Sequence, residues 1–392
     1  MARPACQPGA PFSMFSSYCF RFSRCGACFS VHFSLMQNKR LASLDILRGF
    51  DLFLLVFLQP VLWAVLSRCD HELARSVLYH FDHEVWEGFR FWDLVMPLFL
   101  FMSGISMPFA FARYLRGELP VAHAYRKVVR RFVVLFVLGM VVQGNLLGLC
   151  PAYFQYYTNT LQAIAAGSLI AALLLLRLPL RGQLAGMAVL LAAYSVPMML
   201  CGDYSPEGNL ACRIDAAVMG SHRGDPTYAW LLPSLNFGVT VMLGAVAGQI
   251  IRLDRGGATV RTALRLLLAG VALIVAGWLW GLDMPVVKRI WTSSMTLLSG
   301  GYCFLLMAAF YYVIDVRGIH RPFDWLKIYG MNSIAAYMLG EVVNFRSVVD
   351  SLCYGLRQWL DGWYDAWLTF GNFLILFFIL LTLARARIYI KV

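Results

Sequence analysis

Long apolar runs separated by short polar segments dominate the chain between residues 47 and 384. A membrane-spanning helix needs about 20 mainly apolar residues, and ten runs approach that requirement. They lie at roughly 47–67, 91–112, 132–150, 158–176, 183–201, 230–251, 264–281, 295–314, 326–345 and 367–384. The pattern predicts an all-α, polytopic membrane protein of about ten transmembrane helices, forming a single domain over residues 36–392.

The composition supports a membrane protein and changes how the charge is interpreted. Of the 392 residues, 60% are hydrophobic and 14% are charged, whereas soluble proteins have about 45–50% apolar and about 25% charged residues. The net charge is +12. Because basic residues in membrane proteins mark cytoplasmic loops and contacts with anionic lipid, we expect a lipid bilayer as the partner and no nucleic acid.

The distribution of Lys and Arg predicts the orientation. If the N-terminus is cytoplasmic, most basic residues fall in cytoplasmic segments, the densest group being Arg126, Lys127, Arg130 and Arg131. Such an excess is typical of the cytoplasmic side. We therefore expect both termini in the cytoplasm, with His83 and the long polar loop 202–229 on the opposite side.

Residues 1–35 differ from the rest of the chain. They are rich in Cys, Phe, Ser and Arg, have no helical periodicity, and precede Met36. A secretory signal peptide needs an apolar core and a small-residue cleavage site, and neither is evident. We expect this segment to be disordered, or to be an extension upstream of a true start at Met36.

The segment HEVWEGFRFWDLVMP contains the strongest candidates for catalysis, His83 and Asp93. An imidazole can remove a proton from an amine or hydroxyl, or be acylated itself. Asp93 lies at the mouth of the second apolar run, where an ionisable group is costly and usually functional. The alternative is structural: His83 is a solvent-facing loop residue and Asp93 caps a helix N-terminus.

Four polar residues elsewhere are candidates for ligand binding. Asp45 and Arg48 share one helix face, and a guanidinium suits a phosphate ligand. Gln162 and Asn332 begin later spans, where an amide side chain can bond a neighbouring helix or a ligand. Structural roles are the alternative for all four: an interfacial anchor for the charged pair and interhelical hydrogen bonds for the amides.

Several motifs occur in one order along residues 38–345. They are SLDILRGFD, the HEVWEGFRFWDLVMP segment with FLFMSG after it, NTLQAI, GNLACRIDAAVMG, LLPSLNFGVTVMLGAVAGQII, and VIDVRG followed by YGMNSIAAY. By these motifs the chain resembles the transmembrane acetyltransferases typified by heparan-α-glucosaminide N-acetyltransferase, together with their bacterial relatives. No single motif is specific, but their order is.

The resemblance implies a reaction and a site. Such enzymes take an acetyl group from cytoplasmic acetyl-CoA and move it to a sugar across the membrane, with a catalytic histidine on the far side. That histidine matches His83, and Asp93 would be its neighbour; no metal is implied. The acetyl-CoA side would include Asp45, Arg48, Gln162 and Asn332. Both an acetyl-histidine intermediate and direct transfer with His83 as general base remain open.

The chain departs from the family pattern at two positions. Ala163 stands where an arginine usually follows the glutamine, and Gly340 stands where the animal enzyme has a histidine before Glu341. With no large luminal domain before the match, we expect a bacterial inner-membrane protein. The resemblance to the family also implies a homodimer. Its acceptor would be an aminosugar or an envelope glycan, selected by the loop 202–229.

A second function belongs to another class. A proton-coupled secondary transporter would use Asp93 and Glu341 as the proton relay, because carboxylates inside membrane spans often carry protons. It predicts coupling to a proton gradient and no dependence on acetyl-CoA.

Overall fold

The protein is built from helices joined by short loops. The computed structural model describes residues 41–254 and 257–390. Among these residues there is no β-strand, and extended pairing is limited to an isolated bridge between Glu87 and Val287. The prediction of an all-α fold is confirmed, whereas the prediction for residues 1–35 lies outside the described residues.

The α-helices of five or more residues are numbered in chain order, and each includes any π-helical stretch continuous with it. They are α1 (Ala42–Leu66), α2 (Glu72–His80), α3 (Val95–Ala110), α4 (Val121–Val142), α5 (Thr160–Arg177), α6 (Leu180–Cys201), α7 (Leu210–Met219), α8 (Ser234–Arg252), α9 (Val260–Trp280), α10 (Ser293–Val316), α11 (Lys327–Met331), α12 (Ser333–Val342), α13 (Arg346–Cys353) and α14 (Tyr364–Arg385). A 3₁₀ turn, Phe91–Leu94, leads directly into α3.

Eight helical stretches in the described part of the chain are long and apolar enough to cross a membrane. They coincide with eight of the ten predicted runs. The run at 132–150 begins in α4, which ends at Val142 and whose first half holds the basic group 126–131. The run at 326–345 is interrupted at Asn332, so α12 has only 10 residues. A multi-pass membrane protein follows, while the count of ten and the orientation of the termini stay predictions.

Close contact between α3 and α8 fixes the position of the segment that follows Asp93. A Cβ atom at Gly244 would lie 1.9 Å from the carbonyl oxygen of Phe101, and one at Gly104 would lie 1.9 Å from that of Val241. Small residues let helix backbones approach each other in membranes, where packing rather than hydrophobic exclusion drives association. These glycines therefore set the depth at which α3 begins.

The substitution Gly244→Ala should loosen this contact. The added methyl group meets the Phe101 backbone, which cannot rotate away, so we expect a loss of about 1–3 kcal/mol, typical of overpacking. The measurement is the thermal unfolding midpoint in detergent. Gly355→Ala is the matched control, since a Cβ there meets nothing within 4 Å. Equal midpoints for the two variants would contradict the packing argument.

Candidate active site

The loop between α2 and α3 is pinned to the loop between α9 and α10. Glu87 forms an antiparallel bridge with Val287, and the N–H of Gly88 donates to the carbonyl oxygen of Val286 at 2.9 Å. Gly88 has a φ of +127°, a conformation open to glycine but strained for other residues. The pairing places the next residue of the second loop, Lys288, beside His83.

Asp93 combines the two roles that the sequence left as alternatives. Its Oδ1 lies 2.9 Å from Nδ1 of His83, while its Oδ2 accepts hydrogen bonds from the backbone N–H groups of Glu84 at 3.2 Å and Arg90 at 3.0 Å. The carboxyl group is fully buried, and burial of a charge is tolerable only with such partners. Asp93 thus caps the start of its helix and also orients His83.

Lys288 is a third member of this site. Its Nζ lies 2.8 Å from Nδ1 and 3.2 Å from Nε2 of His83, and 3.5 Å from Oδ1 of Asp93. The residue is only 8% exposed. The sequence analysis did not single it out. The available signal was a lysine directly after the apolar stretch Met284–Val287.

The electrostatics of the site favour a neutral imidazole. Burial lowers the pKa of His83, and the Lys288 charge lowers it further, whereas the hydrogen bond to Asp93 raises it. Burial also lowers the pKa of Lys288 to about 8, against the attraction of Asp93. An ionised carboxylate only accepts hydrogen bonds, so Nδ1 of His83 carries the proton and Nε2 keeps its lone pair.

A cavity of about 500 Å³ opens beside this cluster, lined in part by His83 and Lys288. One wall is apolar and includes Leu55 of α1 and Phe99 of α3. The remaining walls carry polar and aromatic side chains, among them Thr158, Asp225, Tyr228, Trp230, Tyr337 and Glu341. Such a concave site, mainly apolar with a few convergent polar groups, is typical of small-molecule binding.

Gln162 holds the loop before α5, which contributes Thr158 to the cavity lining. Its Oε1 accepts from the backbone N–H groups of Thr158 at 2.9 Å and Asn159 at 3.1 Å, and its Nε2 donates to the carbonyl oxygen of Tyr156 at 2.6 Å. Asn159 in turn donates to the hydroxyl of Tyr337 at 3.1 Å. Gln162 is fully buried, and the contacts it makes hold the loop before α5.

Asn332 holds the C-terminal segment. Its Nδ2 donates to the carbonyl oxygen of Ile388 at 3.0 Å, and its Oδ1 accepts from the N–H of Ile390 at 2.9 Å. Both polar atoms of this buried side chain are therefore bonded to backbone beyond α14. The interruption between α11 and α12 gives the amide access to these groups.

Asp45 and Arg48 form a loose ion pair in the first turns of α1. The Nη1–Oδ1 distance is 4.0 Å, and Nη2 of Arg48 donates to the carbonyl oxygen of Met102 at 3.3 Å. The structure thus brings His83 and Asp93 together at the cavity. It places the residues predicted for acetyl-CoA outside the cavity lining, so that role stays a prediction for Asp45, Arg48, Gln162 and Asn332.

Comparison with known proteins gives two matches. The model of the family described as heparan-alpha-glucosaminide N-acetyltransferase, catalytic, matches residues 40–279. Human heparan-alpha-glucosaminide N-acetyltransferase is 24% identical over 368 residues, covering 77% of this chain and 53% of the human protein. The chain thus spans about half the length of that curated relative. The resemblance drawn from the motifs is confirmed.

Replacement of the buried carboxylate should leave Lys288 without its counter-ion. Asp93→Asn is expected to destabilise the protein by about 3–5 kcal/mol, the usual effect of removing one partner of a buried pair. The thermal unfolding midpoint should be measured at a pH well below 8, where Lys288 is protonated. The double variant Asp93→Asn with Lys288→Met should recover a substantial part of that loss.

Glu118→Gln is the matched control, because Glu118 pairs with Arg116 at an exposed position. Exposed pairs contribute only about 0–1 kcal/mol, so its midpoint should barely change. A double variant no more stable than Asp93→Asn alone would show that the two charges are not coupled.

Proposed function

We propose that the chain is a membrane acetyltransferase. The premise is that it belongs to the heparan-α-glucosaminide N-acetyltransferase catalytic family. The observation that carries the proposal is the His83–Asp93 pair at the edge of the cavity. A carboxylate on Nδ1 sets the imidazole tautomer and supports positive charge on the ring during the reaction. The group that meets the substrate is then Nε2.

The acetyl donor in this proposal is acetyl-CoA from the cytoplasm. Its phosphates cannot enter a bilayer, but its flexible pantetheine arm can pass between helices. The apolar wall suits that arm because it includes Leu55. Leu55 lies 13 residues after the first residue of α1, which is about 20 Å along a helix, and the arm would have to cover about that distance. Arg48, near the same end of α1, would attract the phosphates, as fixed cations do for anionic ligands.

The reaction at His83 can follow two routes. In one, Nε2 attacks the thioester carbonyl, the C–S bond breaks and CoA leaves as the thiolate; the acceptor then takes the acetyl group from the ring and releases the proton that balances the thiolate. In the other, Nε2 removes the acceptor proton while the acceptor attacks the thioester, and the imidazolium returns that proton to the departing sulfur. Both give CoA and an acetylated acceptor.

The acceptor we propose is the amine or hydroxyl of a sugar on the far side of the membrane. Asp225 and Tyr228, from the loop 202–229, line the cavity together with Trp230 and Glu341. Carboxylates accept hydrogen bonds from hydroxyl and ammonium groups, and aromatic rings give a flat apolar surface. This lining agrees with an aminosugar or an envelope glycan acceptor. The location we propose with it is a bacterial inner membrane.

The first test uses purified protein and radiolabelled acetyl-CoA with added aminosugar. We expect His83→Ala to lower CoA release about 10²–10⁴-fold, the usual contribution of a positioned acid–base group. His80→Ala is the matched control, because His80 is an exposed neighbour that does not line the cavity. Acid-labile label on the wild-type protein would favour the acetyl-histidine route.

A proton-coupled transporter using Asp93 and Glu341 is the alternative. Against it, the Asp93 carboxylate already accepts hydrogen bonds from two backbone N–H groups and lies beside two side-chain nitrogens. Failure of the wild-type protein to bind or consume acetyl-CoA, together with sugar uptake driven by a proton gradient in vesicles, would overturn the transferase proposal.

A further inference from the structure

We propose that Lys288 is a positioning residue that acts through His83: its ammonium group keeps Nε2 of the imidazole unprotonated and available in the cavity. None of the motifs named in the sequence analysis includes this lysine, and the inference comes from its place in the fold. It rests on the proposed function only in taking Nε2 as the atom that meets the substrate. The effect of the ammonium on His83 is present with or without substrate.

The geometry of the contact supports this role. Nζ is nearly equidistant from the two ring nitrogens of His83, at 2.8 Å and 3.2 Å. A donor in line with the lone pair of one ring nitrogen lies much farther from the other, so the ammonium is aligned with neither. It therefore acts on the ring by its charge and leaves the Nε2 lone pair to the cavity.

The position of Lys288 is set by backbone contacts rather than by its own flexible stem. The preceding residue pairs with Glu87, and the hydroxyl of Thr292 accepts the N–H of Val287 at 3.1 Å, while the N–H of Thr292 donates to the Val287 carbonyl at 3.2 Å. Trp291 turns the chain in a left-handed conformation, with φ +49°. This small closed loop holds the lysine against His83.

The charges around the pair give the sign of the effect. His83 faces the carboxylates of Asp93 and Asp82 and the ammonium of Lys288, while Lys288 also feels the neighbouring Arg289. The other titratable groups on the cavity walls are Asp225, Tyr228, Tyr337 and Glu341. With Lys288 neutralised, the charges that act on the ring are the carboxylates of Asp93 and Asp82. The pKa of His83 must then rise, and free imidazole is lost at higher pH than in the wild type.

The effect of Lys288 should appear on the acidic side of the rate profile. Its pKa is lowered only to about 8, so it is charged throughout the range in which His83 takes up its proton. Above that range the imidazole is free whether or not the lysine is charged. Arginine keeps the positive charge, so Lys288→Arg should leave the acidic limb nearly unchanged, whereas a neutral side chain should move it to higher pH.

The test measures His83 directly, without turnover. Diethyl pyrocarbonate acylates only unprotonated imidazole, so its rate of reaction at His83, followed by peptide mass spectrometry against pH, gives a titration curve. Lys288→Met should move this curve up by about one pH unit, the size expected for removal of an adjacent charge. Lys327→Met is the control. Lys327 pairs with the nearby Asp324 and does not line the cavity, so this variant should leave the curve unchanged.

Rate profiles for acetyl transfer complete the experiment. We expect Lys288→Met to move the acidic limb up by a similar amount, and Lys288→Arg to keep it. If Lys288→Met does not fold, Lys288→Gln, which also removes the charge, takes its place, and an unshifted His83 titration in that variant would refute the proposal.

The two proposals fail in different ways. A shifted His83 titration in a protein that never transfers acetyl groups would support the role of Lys288 and reject the proposed function. Acetyl transfer that depends on His83, with an unshifted titration in Lys288→Met, would reject the role of Lys288 and keep the proposed function.

Discussion

The buried carboxylate of Asp93 is the interaction on which this site depends. An ionised group without water must be surrounded by donors, and Asp93 collects them from three places: its own helix start, the loop containing His83, and the loop containing Lys288. The first two are close in sequence, whereas the third is the loop between α9 and α10. The need to satisfy one buried charge therefore draws the imidazole of His83 and the ammonium of Lys288 to the same point.

The helix bundle determines where that point lies. Contact of α3 with α8 through glycines sets the depth of α3, and Asp93 lies just before its first residue. Gln162 and Asn159 hold the opposite rim, through the loop before α5 and the hydroxyl of Tyr337. The cavity is thus lined both by helix ends and by the loops that join the helices.

The polar residues within the spans show where sequence reasoning succeeds and where it stops. His83 and Asp93 were predictable because a titratable pair at the mouth of an apolar run is costly and therefore informative. Gln162 and Asn332 carry the same signal, yet their polar atoms bond backbone at a loop and at the C-terminal segment. A buried amide must be satisfied, and sequence does not tell whether the partner is backbone or ligand.

The sequence by itself determined the class of the protein, most of its apolar helices, its family, and the pairing of one histidine with one aspartate. These depend on local composition and on spacing within a single segment. The tertiary structure alone decided that Lys288, 205 residues from His83, completes the site. That contact follows from pairing between two loops at the ends of different helices, and loop pairing leaves no periodic pattern along the chain.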